Sequence, residues 1–149
     1  MVFRSFMGDA LAEAEKAMAL NEVPVGAVIV QNGQVIASAH NESKLRPDAT
    51  AHAELLAIQK AMAALNQERL EGCDLYVTLE PCPMCAGAIS HARIARLYFG
   101  ASDPKSGGVL HGPKVFDHPQ AHYKPEIYDG VDEAACAQLL RDFFESRRR

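Results

Sequence analysis

Leu75-Tyr76-Val77-Thr78-Leu79-Glu80-Pro81-Cys82-Pro83-Met84-Cys85 is where the chain declares its architecture. Five residues rich in branched and aromatic side chains, Leu75 to Leu79, read as a buried strand. Pro81 follows almost at once and suits a helix start, where its missing N–H costs nothing. A helix is therefore expected from there to about Ala92. Cys82 and Cys85 lie three apart, one helical turn, so both sulfurs face the same way. A helix start also favours thiolate through its free N–H groups and its dipole.

The strand–helix unit repeats on either side. Ile94 to Phe99 reads as the next strand. Upstream, Leu55, Ile58, Met62 and Leu65 recur at helical spacing, with Thr50 as the expected N-cap. Before that, Val25 to Val30 reads as a buried strand that Pro24 separates from an opening helix bearing Met7, Ala10, Ala14, Ala17 and Met18. Asn32-Gly33 is a two-residue hairpin signal, which returns Gln34 to His40 antiparallel. Lys44 to Ala49 reads as a loop. From Gly100 to Gly130 the periodicity fails among Pro, Gly and His, and a stretch of that kind in a small domain is usually functional or hides short elements. A last helix carries Val131, Ala135, Leu139 and Phe143. The expected fold is α/β, one three-layer α/β/α domain over residues 1–149 with a mixed central sheet covered on both faces.

Composition agrees. The 149 residues are 48% hydrophobic and 23% charged, near the average for globular chains, which argues against disorder, collagen and coiled coil. The longest apolar run, Val23 to Val30, falls well short of the roughly 18 residues a membrane span needs. Asp9, Glu13 and Glu15 break any secretory signal, and the expectation is a cytoplasmic protein with reduced thiols. The net charge of −4 argues against nonspecific nucleic-acid binding while leaving room for a local basic site. Arg141, Arg147, Arg148 and Arg149 crowd the end of the chain.

His52-Ala53-Glu54 is the second chemical motif, at the start of its own helix. If the two helix starts lie side by side, His52, Cys82 and Cys85 converge as three N/S ligands, the catalytic zinc pattern, with a fourth position open for water. Glu54, two residues from His52, points elsewhere and is placed to move a proton from that water. Each motif alone has plainer readings. Cys-x-x-Cys also serves redox sites, which leave His52 and Glu54 without a role. It also serves structural zinc sites, where Cys73 or Cys136 would be the fourth ligand; both read more simply as small core residues.

His-x-Glu followed by Pro-Cys-x-x-Cys is the signature of the zinc-dependent deaminases. The closer resemblance, nearly end to end, is to bacterial tRNA-specific adenosine deaminases. It is carried by Glu22-Val23-Pro24-Val25-Gly26-Ala27-Val28, Thr50-Ala51-His52-Ala53-Glu54, Leu75 to Cys82, Met84-Cys85-Ala86-Gly87-Ala88, Phe99-Gly100-Ala101 and Asp142-Phe143-Phe144. The resemblance implies a cytidine-deaminase-like fold, one Zn2+ per chain, a homodimer, and conversion of adenosine to inosine at the wobble position of a tRNA anticodon stem-loop. It implies that Asn41 holds the nucleoside, that Val25, Gly26 and Ala27 line the pocket, and that Asp103 and Lys105 contact RNA. Phe143 and Phe144 resemble the family's aromatic pair near the splayed bases, although helical spacing makes at least one of them core. The sequence departs at Glu42-Ser43, where relatives often carry a basic residue, and at Ser102, where Arg is common; both remove positive charge from the RNA side. Pro83 also occurs in guanine deaminases. The alternatives are thus a free-base or nucleoside deaminase for guanine or cytosine, or, in another class, a structural-zinc binding module or inactive scaffold subunit.

Overall fold

Successive residues of the strand Gly26–Gln31 (β1) go to opposite faces of the sheet, and both faces are dry. Ala27 and Ile29 enter one core and Val28 and Val30 the other, which is why this strand reads as an unbroken apolar run. The structure is a computed structural model and describes residues 3–147. Around β1 the chain runs through α1 (Met7–Ala19), β2 (Gln34–His40), α2 (Ala53–Leu65), β3 (Asp74–Leu79), α3 (Pro83–Ala92), β4 (Arg96–Ala101), a short 3₁₀ turn (Val115–Asp117), β5 (Glu126–Tyr128) and α4 (Glu133–Ser146).

The strands form one mixed sheet in the order β2-β1-β3-β4-β5. β1 is antiparallel to β2 and to β3, while β3, β4 and β5 are parallel. Asn32 and Gly33 both take positive φ, 52° and 74°, giving the hairpin turn expected of that dipeptide. Helices α2 and α3 bury Ala57, Ile58, Ala86 and Ile89 against Leu75, Val77, Leu97 and Phe99 on one face. On the other face α1 and α4 bring Met7, Ala10 and Cys136 against Val28, Val30, Tyr76 and Tyr98. The result is the three-layer α/β/α arrangement. No helix among the described residues is long and apolar enough to cross a membrane.

Several local expectations need correction. Thr50 does not cap α2. It turns back on Asp48, donating its N–H and hydroxyl to one carboxylate oxygen at 2.8 and 2.7 Å, and the helix starts three residues later with His52 at the N-cap. Helix α3 starts at Pro83 rather than Pro81. A residue before proline is driven out of the helical region, so Cys82 is extended (φ −72°, ψ 171°) and becomes the N-cap. On α2 the buried stripe is Ala53, Glu54, Leu56, Ala57, Ile58 and Ala61; Leu55, Met62 and Leu65 lie half-buried at its margin, because small residues let the helix lie close on the sheet. On α4 the buried residues are Cys136 and Phe143, with Ala135 exposed and Val131 ahead of the helix. The strand β5 escapes a periodicity search because it has only three residues.

Gly26 is set by packing. A Cβ there would lie 2.0 Å from the Ala10 carbonyl oxygen and 2.5 Å from the Ala14 nitrogen of α1. Backbone atoms inside a helix cannot step aside, so the helix itself must move. Gly26→Ala is expected to cost about 2–3 kcal/mol or more, the scale of overpacked cores, read as a lowered midpoint in urea denaturation.

Candidate active site

Two helices begin next to each other on the α2/α3 face, and in both the N-cap residue is a potential metal ligand. An N-cap residue is extended, so its side chain leaves the helix and turns toward the neighbouring start. His52 Nδ1 lies 3.6 Å from Cys82 Sγ and 3.6 Å from Cys85 Sγ. All three ligand atoms lie within 4.8 Å of one another. Tetrahedral zinc with ordinary Zn–S and Zn–N bonds requires an S···N separation of ~3.5 Å, so the donor set has the right atoms at the right spacing.

The charges at the site point the same way. The Cys82 thiol is pulled down to about 4, first because Cys85 donates to its thiolate and then because His52 does. Cys85 is pushed far up, chiefly by donating to Cys82 and then by burial. The same contact thus draws one thiol down and holds its neighbour up. His52 is raised by its contact with Cys82. Glu54, 4% exposed, is pushed up to about 7, first by burial, with the Cys82 charge adding to it. A carboxyl near 7 can hold and release a proton at neutral pH.

Asn41, just after β2, connects this cluster to the adjacent loop. Its Oδ1 accepts the N–H of Ala53 at 2.8 Å and so caps α2 from a distance, the task that His52's own side chain does not perform. That bond fixes the amide orientation and turns its NH2 away as a free donor. Val25 and Ala27 face α2, whereas Gly26 faces α1.

The remaining expected contacts divide. The Asp103 carboxylate accepts the N–H groups of Lys105 and Ser106 at 3.2 and 3.0 Å, which makes it a turn former, and Lys105 is exposed. Phe143 is 1% exposed and belongs to the interior; Phe144 is 48% exposed and meets it edge-on. Arg148 and Arg149 lie outside the described residues. Cys73 and Cys136 are buried away from the ligand cluster, as small core residues.

Sequence reading gave no separate role to two buried carboxylates that shape the site's borders. Glu80, 2% exposed, accepts the N–H groups of Asp103, Val109, Leu110 and His111 as well as His111 Nδ1 at 2.8 Å. Burial alone would push its carboxyl up, but these donors outweigh it and hold it below the usual carboxylate range. Glu22 accepts the N–H groups of Lys44 and Leu45. An acidic residue ending an apolar strand, as Glu80 does, was the available signal.

Cys82→Ala or Cys85→Ala should each abolish bound metal in elemental analysis, while Cys73→Ala and Cys136→Ala keep it. Glu80→Ala leaves its donors without that acceptor, and should lower stability by about 1–3 kcal/mol in denaturant titration.

Comparison with known proteins agrees with this geometry. Residues 3–148 match the family model of the MafB19-like deaminases. The chain is 53% identical over 143 residues to the tRNA-specific adenosine deaminase of Agrobacterium fabrum, covering 96% of this chain and 94% of that one. It is 45% identical to the tRNA-specific adenosine deaminase of Bacillus subtilis, with 97% and 89% covered. A solved structure from work on A-to-I editing by tRNA:A34 deaminases at the wobble position superposes with a TM-score of 0.89 at 53% identity, covering 91% of this chain and 98% of that one. Guanine deaminase from Bacillus subtilis is more distant, with a TM-score of 0.67 at 31% identity and 95% of each chain covered. By a match that runs nearly from end to end and a ligand cluster to go with it, the chain belongs to the MafB19-like deaminase family, among the tRNA-specific adenosine deaminases.

Proposed function

We propose that this protein hydrolyses adenosine at the wobble position of tRNA anticodons to inosine, releasing ammonia. The observation that carries the reading is the convergence of His52, Cys82 and Cys85 beside the buried Glu54, in a chain 53% identical to a tRNA-specific adenosine deaminase. His52 Nδ1 and the two sulfurs are assigned to one zinc ion per chain. When bound, zinc supplies a Lewis acid that brings the pKa of water to roughly 7.

Glu54 takes the proton that the attacking water gives up, passes it to N1 of the adenine ring, and then carries the remaining proton of the new C6 hydroxyl to the departing amine as the carbonyl forms. A carboxyl whose own pKa stands near 7 suits both directions of that transfer. The free NH2 of Asn41 is assigned to the nucleoside, and Val25 and Ala27 to the pocket wall. Lys105 and Phe144 are assigned to the RNA, Lys105 as a phosphate contact and Phe144 as a stacking surface for a neighbouring base. The target base must leave its stack to reach the buried Glu54, as in other enzymes that act on a nucleobase. We place the whole chain, 1–149, in one deaminase domain, working as a cytoplasmic homodimer.

Glu54→Ala is expected to keep fold and bound metal while losing at least ~10²-fold in rate, measured as inosine formed in an anticodon stem-loop. Near-normal turnover would remove Glu54 from the mechanism. The same assay run beside free guanine, cytosine and adenosine separates this reading from its nearest rival. Deamination of guanine with the stem-loop untouched would reassign the substrate and leave the site chemistry standing.

A further inference from the structure

Of the three ligand residues, Cys82 alone stands between two prolines. Cys85 is carried inside α3, and the α2 start beside His52 is capped by Asn41. Cys82 lies in the gap between the end of β3 at Leu79 and the start of α3 at Pro83. Pro81 and Pro83 have no N–H, so in this gap the backbone can donate only from Glu80 and Cys82. Glu80 N–H reaches Ala101 O at 2.8 Å, beside β4. The next hold on the segment is an acceptor: the Pro81 carbonyl takes Gly108 N–H at 2.8 Å.

That donor belongs to a loop that lies directly on the ligand segment. A Cβ at Gly108 would stand 2.6 Å from Pro83 N and 2.9 Å from the carbonyl carbon of Cys82, backbone atoms that cannot step aside. A Cβ at Gly107 would meet the Glu80 carboxylate at 2.5 Å. The loop is gathered on that carboxylate. Glu80 Oε1 accepts Asp103 N–H at 3.0 Å and faces His111 Nδ1 at 2.8 Å, while Oε2 accepts Val109 and Leu110 N–H at 3.1 and 2.9 Å. A carboxylate oxygen accepts, so Nδ1 carries the hydrogen. His111 is thus the side chain among a set of backbone donors, half-buried and closing the loop on Glu80 from its far end. Glu80 in turn stands two residues before Cys82.

We propose that the Glu80–His111 pair latches the 103–111 loop onto the backbone of Cys82 and thereby sets how firmly the ligand cluster retains zinc. The proposal rests on the zinc assignment above and is independent of which base is deaminated. His111 is a positioning residue, acting through Glu80 and Gly108 on the peptide that carries the ligand. With the latch open, the loop lifts, the Pro81 carbonyl loses its donor, and Cys82 Sγ is free to swing away from His52 and Cys85. A ligand that swings away is the first step of metal loss. His111→Ala removes one donor of several on Glu80, so the fold survives while the hold on Cys82 slackens.

The test is the rate of zinc transfer from the loaded full chain to an excess of a chromogenic chelator. His111→Ala is expected to speed release about tenfold, the low end of what partners that orient a ligand contribute. His111→Asn places an amide N–H where Nδ1 stands and should restore the rate. Gly108→Ala, which forces the loop off the Cys82 backbone, should release zinc at least as fast as His111→Ala. Val30→Ala is the control: it thins the core on the opposite face of the sheet with the latch intact, and should release zinc at the unsubstituted rate. In the cobalt-loaded protein, His111→Ala should shift the thiolate-to-metal absorption, and Val30→Ala should not. Release from His111→Ala at the unsubstituted rate would overturn the latch. So would a Val30→Ala as fast as His111→Ala, because release would then follow global stability. Should Gly108→Ala fail to fold, His111→Ala decides alone. A protein that retains zinc in the expected pattern yet forms no inosine would overturn the proposed function and leave the latch standing. A protein that binds no zinc would overturn both.

Discussion

Two helices that start in contact set everything else at the reactive end of this molecule. Helix N-termini are positive poles, so placing α2 and α3 start to start is unfavourable unless negative charge is supplied between them. The Cys82 thiolate, with its pKa drawn down to about 4, supplies it. The residues that stand at the two N-cap positions, His52 and Cys82, are also the ones whose side chains must leave their helices to meet. Binding chemistry and helix initiation are thus one arrangement, and a cation bound by these ligands meets partners already drawn together.

That arrangement is supported from outside by polar side chains that are themselves buried. Asn41 does for α2 what the diverted His52 side chain does not, accepting the first free N–H. Glu22 and Glu80 hold the two irregular segments that border the site. Loops lack the ladder of a sheet or the repeat of a helix, so their buried N–H groups need acceptors from elsewhere. A carboxylate offers enough lone pairs to satisfy several at once. Glu80 gathers donors from Asp103 to His111, and Gly108 N–H reaches Pro81 O at 2.8 Å, tying the same loop to the residue before Cys82. A long irregular stretch is thereby fixed against the ligand segment without regular structure of its own.

The two faces of the sheet divide the labour. The ligand cluster sits at one end of the α2/α3 face, while α1 and α4 pack closely on the other. There Gly26 lets α1 approach to backbone contact, and a Cβ at Gly100 would lie 2.3 Å from Cys136 Sγ of α4. Tyr76 and Tyr98 stack at 4.3 Å and Tyr98 and Tyr128 at 4.9 Å, extending one aromatic row from the sheet interior to its edge strand. Strands buried on both sides give the layer carrying the ligands a rigid floor.

Much of this was legible in the chain itself, for reasons that are local. Asn32-Gly33 determines its hairpin because both residues tolerate positive φ, and alternation of apolar runs with helical spacing determines an α/β sheet. His-x-Glu and Pro-Cys-x-x-Cys determine the donor atoms, since their identity is written in the residues. Where the helices begin was misread at Thr50 and Pro81, because capping depends on competitors: Asp48 takes Thr50, and Pro83 forces Cys82 out of the helix. Only tertiary structure could decide that Asn41 caps α2, that Glu80 and Glu22 bind loops rather than solvent, and that Phe143 is core while Phe144 is not. Each of those outcomes depends on a partner between 12 and 31 residues away or on the burial of one helix face, and spacing along a chain carries no record of either.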